Sequence, residues 1–455
     1  MTTTVHPPPR PGRWISGWDP EDEEFWERSG KRIARRNLAL SVLSEHLGFS
    51  VWSIWSVMVL FLSPEIGLGF TAGEKFLLVC VPTLVGSLLR LPYSAAVARF
   101  GGRNWTVLST AVLLVPTLLA LHFVRQPGTP LWVFLLIGAL TGLGGGNFAS
   151  SMTNIAHFFP RRHQGWALGL NAGGGNLGVA VIQLVALLVI ATAGSTSPAY
   201  VAAVYLPLIV LAALAAALGM DNLDVVRGAP GAQRDAVREP HTWWLSLLYI
   251  GTFGSFIGYG FAFGLVLQSQ FGFSALQAAG CTFLGPLLGS LARPLGGALA
   301  DRFGGAGVTC WNFLGMAAGT ALLLVASGQG SFGLFLAAFT ALFVLSGLGN
   351  GSVYKMIPAV FAERAAARVT AGADAAGAFA EARRLSGAVI GIAGAVGGLG
   401  GVLINLAFRA SYGGPAASGD LAFVAFLVCY LGCVVLTWAC YLRRPAVAVR
   451  EVAGA

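Results

Sequence analysis

Two arginines stand where a membrane-spanning segment would ordinarily exclude them. GSLLRLPYSAAVARFGG, from Gly86 to Gly102, carries Arg90 well inside an apolar stretch, and GSLARPLGGALADRFGG, from Gly289 to Gly305, carries Arg293 at the same point. Nine of the seventeen positions are identical between the two copies. Each arginine precedes a second one, Arg99 or Arg302, by nine residues, a rise of about 13 Å on a helix. Lys355 stands in the same relation to Arg364. In a hydrocarbon core about 30 Å thick, all three charges fall near the midplane, too deep to snorkel to the interface. The acid expected inside a span is Glu45, near the cytoplasmic end of the first. Permanent cations without an internal counter-ion call for an anion from outside.

The elements that must hold these charges follow from composition. Of 455 residues 56% are hydrophobic and 10% charged, with a mean hydropathy of +0.73. That balance belongs to an integral membrane protein. The apolar segments are about 20 residues or longer, which favours helices over the alternating ten-residue strands of a barrel. Twelve transmembrane helices are expected near 38–62, 76–98, 104–124, 131–157, 165–192, 198–220, 243–268, 276–299, 307–327, 332–361, 385–409 and 420–442. No cleavable signal peptide is expected, because the first 37 residues are polar and rich in Pro, Trp and charge. With both termini inside, cytoplasmic segments hold 22 of the 28 Lys and Arg, and outer loops hold Lys75, Arg125 and Arg409. This bias sets the orientation and accounts for the net charge of +9 without nucleic acid. The six cysteines lie in apolar segments without metal-ligand spacing and read as packing residues.

The arginine stretches are offset by 203 residues. A second echo, GLGGGNFASSMTNIAHFFPRR from Gly142 and GLGNGSVYKMIPAVFAER from Gly347, is offset by 205. The chain therefore divides into a cytoplasmic segment (1–37), a six-helix half (38–220), a cytoplasmic linker (221–242), a second six-helix half (243–442) and a cytoplasmic tail (443–455). Parallel repeats of this kind are related by an axis along the membrane normal, which puts Arg90 and Arg293 on opposite walls of one interface. Two glycine-rich runs, ALGLNAGGGNLG in the fifth span and GAVIGIAGAVGGLGG in the eleventh, would let helix backbones approach and slide. Gly173, Gly175, Gly394 and Gly397 are the candidate hinge and packing positions. Asn176, a polar amide in the first run, needs a partner in hydrocarbon.

ARFGG and ADRFGG, just after the second and eighth spans, resemble the short basic turn of the major facilitator superfamily. GGGNFASSMTNIAHFFP…GWALGLNAGGGNLGVAVIQ, from Gly144 to Gln183, is similar to the nitrate signature of the NarK-type nitrate/nitrite porters, and the glycine run of the eleventh span resembles its second copy. WDPEDEEFW…GKRIARRNL and LLYIGTFGSFIGYGFAFG carry the resemblance over nearly the whole chain. It implies that Arg90 and Arg293 clasp the anion, that Phe148 and Phe253 sandwich it, and that Asn176 and Tyr249 lie nearby. A guanidinium is planar, permanently charged and fork-shaped, so two of them suit a flat oxyanion. Flanking rings would select for flatness. Repulsion between the arginines of an empty site would slow its return and favour exchange of one anion for another.

Lys355 leaves two readings open, a third anion contact or a buried lysine that releases a proton during the cycle. His46, His122 and His157 are expected near the interfaces. The leading expectation is import of nitrate against export of nitrite, with proton-coupled nitrate entry as the alternative. Expected partners are nitrate, nitrite and membrane lipid, and the chain is expected to act as a monomer in the cytoplasmic membrane without cofactor, metal or nucleic acid. No phosphate-cradling glycine loop and no nucleophile–base set is present, so an enzyme is not expected. The short polar segments leave no room for a receptor's signalling element.

Overall fold

In hydrocarbon no water is at hand for a backbone N–H or C=O, so a chain this apolar closes its hydrogen bonds within helices. The structure is a computed structural model that describes residues 13–224, 231–414 and 417–443. The first crossing, α1, is interrupted: Lys31–Trp52 yields to a turn at Ser53 and Ile54 and resumes as Trp55–Phe61. Ser53 Oγ donates to the Phe49 carbonyl at 2.7 Å there, competing with the helix ladder. Eleven further helices are long and apolar enough to cross a membrane: α2 (Ala72–Phe100), α3 (Gly102–Phe123), α4 (Leu131–Phe158), α5 (Arg161–Ala193), α6 (Ala199–Gly219), α7 (Pro240–Phe271), α8 (Ala275–Phe303), α9 (Gly305–Gly328), α10 (Phe332–Thr370), α11 (Ala375–Tyr412) and α12 (Asp420–Leu442). The expected twelve spans are all present among the described residues, in two halves of six.

Three features depart from the expected limits. Helices α10 and α11 run past 361 and 385 and meet at a turn over 371–374. Their added turns, AERAAARVT and AAGAFAEAR, are rich in alanine, the strongest helix former, and Asp374 caps the second by accepting from Gly377 N at 2.6 Å. The amino-terminal segment, read as polar, is anchored. β1 (Trp14–Ile15) pairs in parallel with β2 (Asn222–Leu223) from the linker, and Trp18 and Trp26 are buried against Phe158 and Phe159 at the end of α4. Asp221 fastens this end, accepting from Arg13 at 3.1 Å, from Asn37 at 3.0 Å and from Arg36. The linker holds a short helix (Ala232–Arg238), and Arg384 reaches its Asp235 at 2.7 Å. Residues 1–12 and 444–455, which take in nearly all of the expected tail, lie outside the described residues.

The two halves meet mainly at the end away from these basic segments. Phe76 of α2 stacks on Tyr412 of α11 at 5.6 Å, Trp52 meets Phe261 at 5.3 Å, and Gln183 of α5 donates to the Gly260 carbonyl of α7 at 2.8 Å. Along one face of α11 the seam then opens. A Cβ at Gly398 would strike Ser87 and one at Gly394 would reach Arg90, whereas at Gly391 and Gly387 it would meet nothing within 4 Å. These positions lie three or four apart and so share a face. The bundle is sealed at one end and parted toward the basic end, with the arginines at the boundary.

Candidate anion site

Six helices converge on the boundary. Arg90 of α2 is fully buried, and its Nη1 donates across the seam to the Gly394 carbonyl of α11 at 2.7 Å. Its Cζ stands 4.6 Å from the centroid of the Phe253 ring and 4.8 Å from that of Phe148. Arg293 of α8 is 6% exposed, and its Nη2 donates to the Tyr249 hydroxyl at 3.3 Å. Its Cζ lies 5.8 Å from the Phe148 centroid and 5.4 Å from that of Tyr354. Pro92 and Pro294, inside α2 and α8, each remove an N–H from the ladder close to the arginine.

The rings form a narrow slot. Phe148 from α4 and Phe253 from α7 face each other with centroids 6.4 Å apart and planes 28° from parallel. A flat guest between two rings needs roughly 7 Å, twice a carbon contact distance, so the slot stands slightly closed. Tyr249 lies parallel to Phe253 at 5.1 Å. Both belong to one face of α7, where a π-helical turn over Ile250–Gly254 interrupts the α-helix. Gly254 lets that turn press on α11, since a Cβ there would come within 2.6 Å of the Gly400 Cα. Such turns recur at functional sites.

The guanidinium groups are only partly satisfied. Nε and Nη2 of Arg90 and Nη1 of Arg293 are buried without a partner, and neither arginine pairs with a carboxylate among the described residues. A buried donor left unmade costs about 1–3 kcal/mol, more when charged. Orphaned charged donors beside a flat slot suit a small oxyanion with several acceptor atoms. No group of three or more His, Cys, Asp or Glu among the described residues could hold a metal.

Comparison with known proteins agrees in kind. Residues 39–405 match the Major Facilitator Superfamily. The chain is 43% identical to the nitrate/nitrite transporter NarU of Salmonella typhimurium and 42% identical to NarU of Escherichia coli, covering 94% of this chain and 96% of each relative. It is also 33% identical to the probable nitrate/nitrite antiporter NarK2 of Thermus thermophilus, over 96% of this chain and 98% of that one. This chain belongs to the NarK-type porters of the major facilitator superfamily. Among solved structures, the Escherichia coli xylose transporter XylE in a partially occluded inward-open state aligns with a TM-score of 0.66 at 14% identity, covering 90% of this chain and 98% of that one. A bacterial Spinster homologue aligns at 0.64 and 15%, covering 90% and 97%. At that identity the likeness establishes the fold alone. The family is one of transporters, not enzymes.

Within this NarK-type porter, the structure brings Arg90, Arg293, Phe148, Phe253 and Tyr249 together. Asn176 is buried on α5 with both side-chain polar atoms unpartnered. Lys355 lies apart from this set. Its side chain is 46% exposed and its Nζ meets Asp301 of α8 at 2.8 Å. The lysine stem is long enough to run along Gly297 to that carboxylate, so its depth on the helix does not fix where the charge ends. Where the sequence offered an anion contact or a buried proton carrier, the structure places the charge half-exposed beside a carboxylate. Its neighbour Tyr354, unremarked in the sequence, faces Arg293 instead. Of the four candidate glycines, Gly175 backs onto Glu45, Gly394 offers its carbonyl to Arg90, and Gly397 lies against the Tyr249 ring. Gly173 faces open space. Trp52, 5.7 Å from Arg90, was also not singled out by the sequence, although tryptophan beside a glycine-rich helix in hydrocarbon is a usable signal.

Proposed function

We propose that the chain carries nitrate and nitrite across a bacterial cytoplasmic membrane by alternating access, with both termini on the cytoplasmic side and the anion held between Arg90 and Arg293 in the Phe148–Phe253 slot. The observation that carries this reading is the set of three buried, partnerless nitrogen donors on two arginines that bond to no carboxylate among the described residues. A trigonal anion would satisfy them edge-on while the rings cover its faces, and a tetrahedral anion would force the rings apart. The positive-inside bias supports the orientation. The parting of α11 from α2 below Gly394 then corresponds to an inward-open vestibule, and the glycines at 394 and 397 permit the close contact that rocking must make and break.

An anion-filled site keeps the two guanidinium groups apart in energy as well as in space, so exchange of inward nitrate for outward nitrite is the cycle the arginines favour. A second reading, nitrate entry coupled to a proton, is favoured by one observation: a carboxylate, Glu45, is buried a helical turn from the slot. The test is counterflow in proteoliposomes. Nitrate uptake should be stimulated at least about tenfold by internal nitrate or nitrite and little by internal sulfate or chloride, in line with the loss of two charged hydrogen bonds. Equal stimulation by sulfate would overturn the slot.

A further inference from the structure

Glu45 has no task in the clasp, yet it is placed to influence it. It is 1% exposed on α1, where α1, α4 and α5 meet. Oε2 accepts from Asn171 Nδ2 of α5 at 2.7 Å and from Ser151 Oγ of α4, while Oε1 is buried without a partner. The α5 backbone closes over it, since a Cβ at Gly175 would come within 2.3 Å of Oε1. Phe49 lies one turn further along α1 on the same face, and its ring meets Phe148 at 6.2 Å. Ser151 stands one turn from Phe148 on α4. The carboxyl therefore sits directly beneath the slot, on the side that opens to the basic end.

Among the described residues no cation is bonded to it. His46, next to it on α1, points its Nδ1 to the Gly174 carbonyl at 3.1 Å. Helix α4 presents Ser151 and α5 presents Asn171, neither titratable near neutrality. Helix α6 contributes Tyr205, which lies beside Ser50 of α1. Arg293 of α8 and Arg90 of α2 act on Glu45 through space, and it acts in turn on Tyr354 of α10. An acid so buried can be held neutral by a proton or balanced by the arginines, and which of the two holds depends on what fills the slot.

We propose that Glu45 is a proton-binding site that sets whether the porter exchanges anions or takes them up with a proton. The idea rests on the arginine site. With the slot empty, an ionised Glu45 offsets one of the two guanidinium charges and leaves a net charge of +1. With a monovalent anion bound, a proton on Oε1 removes the carboxylate charge, and the net is again +1. One proton leaves water, forms an O–H bond on Glu45 and crosses with one anion. It returns to water at the basic end as the anion departs, and the empty carrier reorients with the carboxylate ionised. Exchange of one anion for another can proceed with Glu45 protonated throughout and moves no proton.

The experiment uses the full-length protein in proteoliposomes, reading labelled-nitrate counterflow and nitrate uptake driven by an inward proton gradient. Wild type should show both. Glu45→Gln should keep counterflow within about threefold and lose gradient-driven uptake by at least about tenfold, and Glu45→Asp should recover part of it. Three results overturn the proposal while leaving the arginine site standing: wild-type counterflow without gradient-driven uptake, gradient-driven uptake unchanged in Glu45→Gln, or loss of both activities in Glu45→Gln with Arg90 and Arg293 intact. Wild type without counterflow would overturn the arginine site and this proposal with it.

Discussion

Arg90 and Arg293 occupy matching positions of a repeated sequence, yet they are bonded differently. Arg90 is wholly buried, lies under two rings from different halves and donates to a carbonyl of the opposite half. Arg293 is slightly exposed, donates to Tyr249 of its own half and leans on Tyr354. Arg90 thus latches the seam between halves as well as facing the slot, whereas the hydrogen bond from Arg293 to Tyr249 stays within its own half while its Cζ still reaches the Phe148 ring of the other at 5.8 Å. The repeated local sequence fixes depth in the membrane. The partner each side chain finds depends on neighbours: α4 places Phe148 and Ala149 where α10 places Val353 and Tyr354. Repeat symmetry in a porter is a starting point from which the two walls have diverged.

This contrast predicts an order of effects. Arg90→Lys should cost the most, roughly 100-fold in counterflow rate, because an ammonium keeps the charge but loses the fork and the bond to Gly394. Arg293→Lys should cost on the order of tenfold. Equal losses in a side-by-side proteoliposome assay would erase the distinction between the walls. Next, Phe148→Ala should lower nitrate affinity about tenfold, in keeping with removal of one face of a buried aromatic contact, and should raise competition by sulfate. A selectivity ratio unchanged from wild type would mean the rings do not read flatness. Tyr249→Phe removes the acceptor of Arg293 and should raise the nitrate KM about threefold, within the range for one neutral hydrogen bond. Combined with Arg293→Lys it should add almost nothing, since the two share one interaction. Lys355→Gln should be the mildest, within about twofold and without a change in pH profile, because an exposed ion pair contributes little. A shifted pH profile would return Lys355 to the transport cycle.

Much of the molecule was legible in the sequence because hydrocarbon imposes few solutions. Length of apolar run fixes a helix, and duplicated motifs fix a duplicated half. The limits that slipped did so where the solvent changes: α10 and α11 continue as alanine-rich helix once the apolar stretch has ended. The apparently polar amino-terminal segment used its tryptophans to cover the end of α4. At the site, the arginines and the phenylalanines were readable because a buried permanent charge and a motif-borne ring stand out one residue at a time.

Lys355, Tyr354 and Glu45 mark the boundary of that reading. Rise per residue gives the depth of a Cα, but a lysine stem can carry its charge several ångströms along the helix, and only packing showed Asp301 within reach. Which of Tyr354 and Lys355 faces the arginines is a matter of helix rotation, set by how α10 lies against α8 and α9. Glu45 reads as an acid near the end of a span until the close approach of α5 through Gly175 encloses it. Sequence determined that two cations must lie in the membrane's middle, because chain order and the apolar length of each span leave them nowhere else. Tertiary structure alone decided which of their N–H groups stay unsatisfied and which acid lies below them, because hydrogen bonds and burial depend on distances between helices that no single helix contains.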